Sequence, residues 1–138
     1  MKKVILNKCY GGFQVSDKAY QLYAKKKGLE LFKYDMEFRD KRFFYKKSTK
    51  QDNLFSTYFT KDFGEGGEIS NEDYKRYHLY LKTENREDPI LIEVVEELGK
   101  EASDSCGNLI VVEIPKDLEY VIDDYDGIEI LHEKVQEW

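Results

Sequence analysis

The sequence predicts an α+β fold, and three observations lead to that prediction. Two segments, residues 16–27 and 89–102, carry apolar residues at helical spacing. Several other runs are rich in aromatic and β-branched residues and are separated by turn residues. The 138 residues, 41% of them hydrophobic, are enough to bury a core, and no linker or repeat divides them. We therefore expect a single domain over residues 1–138, with the two helices packed on a mixed or antiparallel sheet of about five to six strands.

The first 28 residues predict a strand, a tight turn and a helix. The run Val4–Leu6 is apolar on both faces, which favours a covered strand. Gly11 and Gly12 interrupt it, and Ser16 suits the N-cap of the helix that follows. Gly28 suits the residue just beyond the end of that helix. The predicted apolar stripe of the helix consists of Ala19, Tyr20, Tyr23 and Ala24.

The middle of the chain predicts a hairpin followed by a less certain region. Residues 29–47 are extended in pattern and aromatic, and Asp40-Lys41 suits the turn between two strands. The region 48–77 is predicted to be a mobile connecting segment, because Gly64, Gly66 and Gly67 mark a flexible loop within it. Within that region Phe55–Phe59 alternates like a short strand, and Ser70 suits the cap of a short helix.

The last third predicts a second helix and a strand-rich end. Asp88 is a suitable cap for a helix that starts at Pro89. The run LIVVEI at residues 109–114 is strongly β-branched, which predicts a central strand that ends before Pro115. Asp126-Gly127 predicts a hairpin turn. Residues 128–138 fit a strand or a helical stripe through Ile128, Leu131, Val135 and Trp138, and we favour the hairpin.

Charge and composition narrow the classes of partner. A net charge of −6 argues against general nucleic-acid binding, which needs a surplus of Lys and Arg. No segment has the length of a membrane span, and the N-terminus lacks the pattern of a signal peptide. We therefore expect a cytoplasmic protein in which Cys9 and Cys106 are free thiols. No cofactor is predicted.

One candidate site lies at the first turn. Gly11, Gly12 and Phe13 stand between a strand and a helix N-terminus capped by Ser16, where backbone N–H groups can bind a phosphate or carboxylate. The run lacks the full spacing of either nucleotide-binding fingerprint. The alternative is that steric need in a tight turn explains both glycines.

Other candidate residues lie further along the chain. Arg86, just before the second helix, could bind an anion through two hydrogen bonds, or could pair with Glu87 or Asp88. Tyr125 is a candidate for stacking on a base. No catalytic residue and no metal ligand is predicted, because Cys9, His78 and His132 have no recognisable partners in sequence. The acidic run at residues 119–129 favours an exposed hairpin that resists edge pairing, with a divalent-ion site as the alternative.

Three motifs resemble a family of small, uncharacterised bacteriophage and prophage proteins. They are K-V-I-L-N-K-C-Y-G-G-F at residues 3–13, R-E-D-P…V-V-E-E-L-G at residues 86–99, and V-E-I-P-x-D-x-E-Y-x-I-x-x-Y-D-G-I-E at residues 112–129. The resemblance covers about the first 28 residues and the chain from Arg86 onward. It implies a phage-encoded accessory protein in the cytoplasm of a bacterial host, and it assigns no role to any residue.

Together these features favour a protein that acts by non-catalytic binding. Its expected partner is an anionic small molecule such as a nucleotide-type signal, or a host defence protein that it inhibits. The protein is also expected to form a homo-oligomer. A second hypothesis is a metal-dependent phosphoester hydrolase that uses the acidic run 123–129. A third is a structural or regulatory interaction module whose surface is the 48–77 region.

Overall fold

The computed structural model describes residues 1–48, 56–103 and 107–134 and confirms the α+β class. In chain order the elements are β1 (Lys2–Asn7), α1 (Asp17–Lys27), β2 (Phe32–Arg39), β3 (Arg42–Lys47), β4 (Ser56–Phe59), β5 (Gly66–Ile69), α2 (Asn71–Tyr77), β6 (His78–Leu79), α3 (Pro89–Leu98), β7 (Leu109–Ile114), β8 (Tyr120–Tyr125) and β9 (Ile128–Glu133). Short 3₁₀ helices cover Thr83–Asn85 and Gly99–Ala102.

The chain divides into two compact units. Unit 1 consists of Met1–Tyr23 with Leu81–Trp138, and unit 2 consists of Ala24–Tyr80. The described strands form three antiparallel sheets rather than one, and the largest has five strands. The prediction of one domain over residues 1–138 stays a prediction. None of the described helices has the length and apolar character that a membrane crossing requires.

Unit 1 is built around the two-stranded sheet of β1 and β7, in which Val4 lies opposite Val112. One face of this sheet packs against the β8–β9 hairpin, where Ile122 and Leu131 contact the buried Val4 and Leu6. Helix α3 also packs against both strands. Both faces of the pair are therefore covered, which explains the apolar character of these strands.

Both main helices begin and end near their predicted limits. At α1, the Ser16 hydroxyl accepts a hydrogen bond from the Ala19 N–H at 3.2 Å, and Gly28 has a φ of 69°. At α3, Asp88 accepts from the Ile90 N–H at 2.9 Å, and Pro89 is the first helical residue. Gly99, with a φ of 58°, ends α3, and the 3₁₀ helix after it reaches the predicted limit at residue 102.

Unit 2 is a five-stranded antiparallel sheet in the order β5-β3-β2-β4-β6. The predicted hairpin is confirmed, because Asp40 and Lys41 turn with φ values of 51° and 62° between β2 and β3. Within the region 48–77, residues 56–77 form β4, β5 and α2, while residues 49–55 and thus Phe55 lie outside the described residues. Ser70 caps α2 by accepting from the Asp73 N–H at 3.2 Å, as predicted.

The prediction of a central strand at LIVVEI is wrong for the described part of the chain. Strand β7 pairs only with β1 there and forms the edge of a two-stranded sheet. The β-branched composition reflects covered faces rather than neighbours on both sides, because β propensity measures packing on a pleated surface. The hairpin of β8 and β9 is confirmed, with φ values of 52° and 96° at Asp126 and Gly127. Val135 and Trp138 lie outside the described residues.

Candidate functional site

The glycine turn of the predicted anion site packs against the turn between β8 and β9. Gly11 and Gly12 have φ values of 105° and 88°. Gly127, in the turn between β8 and β9, lies so close that a Cβ there would be 2.5 Å from the Gly12 nitrogen and 2.8 Å from the Gly11 nitrogen. The close backbone approach that these glycines allow thus serves to seat the hairpin turn. That they bind a ligand stays a prediction.

Arg86 makes a buried ion pair with Glu129 and does not pair with Glu87 or Asp88 in the described contacts. Its Nη1 donates to Glu129 Oε1 at 2.7 Å, and its Nη2 donates to Oε2. The side chains of Arg86 and Glu129 are only 12% and 3% exposed. Such a bidentate pair is geometrically specific and uses the N–H edge of the guanidinium that an external anion would need.

Further contacts hold the guanidinium of Arg86 in place. Nη1 also donates to the Ile5 carbonyl at 2.9 Å, and the Arg86 carbonyl accepts from the Ile5 N–H at 3.0 Å. The guanidinium carbon lies 5.0 Å from the centre of the Phe13 ring, within the range of a cation–π contact. Two predicted site residues, Phe13 and Arg86, are therefore brought together, and both are partly buried.

Asn7 extends this network to the neighbouring turns. Its backbone N–H donates to Glu129 Oε1 at 2.7 Å, and its side-chain amide donates to the carbonyls of Cys9 and Gly127. Its Oδ1 accepts from the Asn108 N–H at 2.9 Å. No buried side-chain nitrogen or oxygen of the described residues lacks a hydrogen-bond partner. A fully satisfied buried network of this kind specifies one arrangement of the elements that it joins.

The expectation that Glu129 belongs to an exposed acidic hairpin is wrong. Along β9 its side chain shares the inner face with Leu131, so alternation places it opposite the exposed Ile130. The burial of a carboxylate is tolerated because Arg86 and the Asn7 N–H satisfy it. Local alternation indicates the reverse, because a glutamate between two isoleucines in a strand is ordinarily the exposed residue.

The remaining predicted site residues lie apart from this network. The Ser16 hydroxyl donates to the Glu101 carbonyl at 2.6 Å, and the Ser16 N–H donates to the Ala102 carbonyl at 2.9 Å. The cap of α1 is therefore bound to the 3₁₀ helix after α3. Tyr125 is 59% exposed at the end of β8. Ligand binding by Ser16 and Tyr125 stays a prediction.

The acidic run does not converge on one point. Asp123 pairs with His132 at 2.8 Å, and Asp124 accepts from the Gly127 N–H at 2.7 Å within the turn. Within residues 1–48, 56–103 and 107–134, no three His, Cys, Asp or Glu side chains are grouped to hold a metal ion. Cys9 is half-buried, and Cys106 lies outside the described residues.

Unit 2 carries a surface that the sequence did not reveal, which we call the aromatic ladder. It consists of Phe38, Phe43, Tyr74, His78 and Tyr80, each ring in contact with the next. The centre-to-centre distances along it are 4.8, 4.9, 4.8 and 5.7 Å. These residues come from β2, β3, α2, β6 and the residue after β6, so only strand register and helix packing bring them together.

The two ends of the aromatic ladder are open to solvent. Phe38 is 62% exposed and Tyr80 is 57% exposed, whereas the rings between them are partly covered. The Tyr74 ring stacks on Phe43 at 19°, and burial, with a smaller contribution from Tyr80, raises the pKa of the Tyr74 hydroxyl. The ladder is therefore a firm platform whose two outermost rings face solvent.

The opposite face of the same sheet carries a shallow groove of about 420 Å³. Arg39, Phe44 and Lys46 line it together with Asp35 and Glu37. The guanidinium carbon of Arg39 lies 4.3 Å from the centre of the Phe44 ring. The groove thus combines a stacked cation and an ammonium group with two carboxylates.

Comparisons of the chain with models of known protein families, with curated proteins and with solved structures gave no match. The function is therefore inferred from the residues of this chain.

Proposed function

We propose that this chain is a non-catalytic binding protein whose partner, another protein, docks on the aromatic ladder of unit 2. In the bacteriophage context that the sequence resemblance implies, this partner is a host protein, such as a defence protein that an accessory protein inhibits. The observation that supports the proposal most directly is the continuous ladder of rings with Phe38 and Tyr80 exposed at its ends.

The chemistry of the aromatic ladder is that of a protein interface. Aromatic residues and arginine are enriched in interfaces, and buried aromatic anchors supply much of the binding energy. The inner rings Phe43 and Tyr74 are already packed, so binding orders few additional side chains. Exposed rings on such a support favour a partner that offers an apolar pocket or groove.

The charge of unit 2 indicates which charge the partner carries around its apolar pocket. Unit 2 has 13 Lys and Arg against 10 Asp and Glu, a formal net charge of +3, whereas unit 1 has 9 against 18, a net charge of −9. Lys41 lies in the β2–β3 turn close to Phe38 and is exposed, whereas Arg39 and Arg42 project from the opposite face of the sheet. A complementary partner surface is therefore acidic around an apolar centre, which would also accelerate association.

A paired set of variants tests this proposal. Phe38→Ser with Tyr80→Ser removes the exposed ends of the ladder, and Tyr10→Ser with Tyr125→Ser removes two equally exposed aromatic rings from unit 1. In quantitative capture from a host lysate, we expect the ladder variant to lose a specific partner at least tenfold, while the unit 1 variant retains it. Retention by the ladder variant, or loss by the unit 1 variant alone, would overturn the proposal.

The groove on the other face of the sheet favours a second candidate, the sequestration of an anionic small molecule such as a nucleotide. Phe44 and Arg39 could stack on a base while Lys46 pairs with a phosphate. Calorimetric titration with a panel of nucleotides tests it. Binding should weaken in Lys46→Ala but not in Lys47→Ala, because alternation places Lys47 on the other face. Recovery of the nucleotide unchanged after heat denaturation would separate binding from turnover.

A further inference from the structure

The outer edge of β7 has backbone groups without partners among the described residues. In the β1–β7 ladder, Ile5 lies opposite Val111. The N–H and C=O of Ile5 bond to Arg86, so they point away from β7. In an antiparallel ladder both residues of such a pair point their polar groups outward, and the pattern repeats every second residue. Val111 and Glu113 therefore direct two N–H and two C=O groups to the outer edge.

The two edges of the β1–β7 sheet differ in how their outward backbone groups are hydrogen-bonded. The β1 edge is closed by Arg86 at Ile5 and by the Glu129 carboxylate at the Asn7 N–H. On β7, only the Leu109 N–H has a described partner on the outer side, the Ser103 hydroxyl at 3.3 Å. Val111 is half-buried and Glu113 is exposed, so the edge is accessible. Natural proteins usually protect such an edge with proline, lysine or a cover, because it attracts other strands.

We propose that β7 pairs with β7 of a second copy of this chain, antiparallel and with Val112 on the two-fold axis. The two β7 strands become neighbours in a continuous four-stranded sheet with β1 of each copy on the outside. Two-stranded sheets are only marginally stable, and an isologous contact of this type closes a dimer without leaving a further β7 edge.

The positions of the free groups determine the register. When Val111 lies opposite Glu113 of the second copy, the four free groups of each chain are all used, and the Leu109–Ser103 hydrogen bond is kept. With Val111 opposite itself, Leu109 would have to pair through an N–H that already donates to Ser103. With Glu113 opposite itself, two like charges would face each other, which is unfavourable.

The same register places favourable side chains opposite each other. Val112 faces its own copy, and Ile110 faces Ile114 of the second copy, so the cross-strand pairs on that face are β-branched and apolar. Glu113 lies opposite Lys3 within its own chain, and this carboxylate contributes to raising the pKa of the Lys3 ammonium, after Glu96. Pro115 follows the strand and has no N–H to lose.

Cysteine cross-linking tests the register directly. In a background with Cys9→Ser and Cys106→Ser, the variant Val112→Cys places two thiols in a pair without hydrogen bonds, with Cα atoms about 4.5 Å apart, which a disulfide can span. The matched control Ile110→Cys lies on the same face, but its thiols are four residues apart along the strands, roughly 13 Å. We expect Val112→Cys to form a disulfide dimer on mild oxidation and Ile110→Cys to remain a monomer.

Sedimentation measures the association without any cross-link. We expect a species of twice the 16.4 kDa monomer mass whose population rises with concentration. Val111→Pro removes the outward N–H and leaves the β1–β7 hydrogen bonds intact, so it should weaken association at least tenfold, while Val111→Thr should not. A monomer up to about millimolar concentration, or equal cross-linking at residues 110 and 112, would overturn the proposal. If Val111→Pro does not fold, the cysteine pair decides.

Discussion

The two units stabilise their interiors by different kinds of interaction. Unit 1 buries an ion pair, Arg86 with Glu129, inside a network that also satisfies Asn7. Unit 2 instead buries aromatic rings, with Tyr34 and Phe59 at the centre of edge-to-face contacts. A buried ion pair tolerates the loss of one partner poorly, whereas a ring cluster depends on volume and shape. The two units should therefore differ in which substitutions they withstand.

Breaking the buried ion pair should destabilise the protein more than any other single change considered. Arg86→Met should lower the free energy of unfolding by about 3–5 kcal/mol, because it leaves the Glu129 carboxylate buried without its counter-charge. Chemical unfolding measures the total loss, and hydrogen exchange localises it. We expect the amides of Ile5 and Asn7 to lose protection more than those of unit 2.

Two variants control this prediction. Lys18→Met removes an exposed pair with Glu101, whose side chains are 60% and 66% exposed, and should cost less than about 1 kcal/mol. The double variant Arg86→Met with Glu129→Leu should recover part of the loss, because no charge is then left unpaired. A cost for Arg86→Met as small as that for Lys18→Met would contradict the conclusion that this buried pair stabilises unit 1.

A smaller loss of stability is expected from a substitution at Gly127, which tests how closely the β8–β9 turn packs against the Gly11-Gly12 turn. Gly127→Ala should cost about 2–4 kcal/mol, because its Cβ would lie 2.5 Å from the Gly12 nitrogen and its φ is 96°. Gly12→Ala is the matched control, since Gly12 has a φ of 88° but open space around its Cβ. It should cost only the conformational strain, about 1–2 kcal/mol. Equal losses of melting temperature in the two variants would show that the contact is not tight.

A smaller effect is expected from a hydroxyl in unit 2. The Tyr34 hydroxyl donates to Asp62 at 3.1 Å and accepts from the Phe63 N–H at 2.9 Å. Tyr34→Phe keeps the ring and removes both hydrogen bonds, so it should cost about 1–2 kcal/mol. Tyr125→Phe, at an exposed position, should change the free energy of unfolding by less than about 0.5 kcal/mol. Urea titration of both variants decides whether ring packing alone holds unit 2.

The smallest effect is a dependence on alkaline pH in unit 1. Burial, and then the hydrogen bond to Glu87 at 2.8 Å, raise the pKa of Tyr120 to about 12. An unfolded tyrosine ionises near pH 10, so the contribution of Tyr120 is complete below about pH 10 and falls as the pH rises towards 12. The free energy of unfolding, measured across that pH range, should fall less steeply in Tyr120→Phe than in the parent chain. Parallel curves would exclude this contribution.

Sequence reasoning predicted the local elements of the fold, and the structure confirms them. It placed both main helices, the caps at Ser16 and Asp88, and the turns at Asp40-Lys41 and Asp126-Gly127, because each depends on residues within one or two turns of chain. Among the candidate site residues it selected Gly11, Gly12 and Arg86 for a ligand, whereas their described contacts are with Gly127 and Glu129. The anion that Arg86 contacts in the structure is the Glu129 carboxylate of the same chain, and ligand binding by these residues stays a prediction.

The α+β class and the local order of helices, strands and turns were thus predictable from residue patterns. Three features followed only from the folded chain: Arg86 contacts Glu129, 43 residues away, β7 lies at an edge, and Phe43 stacks on Tyr74. The difference lies in the sequence range of the interactions. Helix caps and turns depend on residues that are neighbours in sequence. Strand register and the burial of charge depend on contacts between distant segments, for which a single sequence carries no periodic signal.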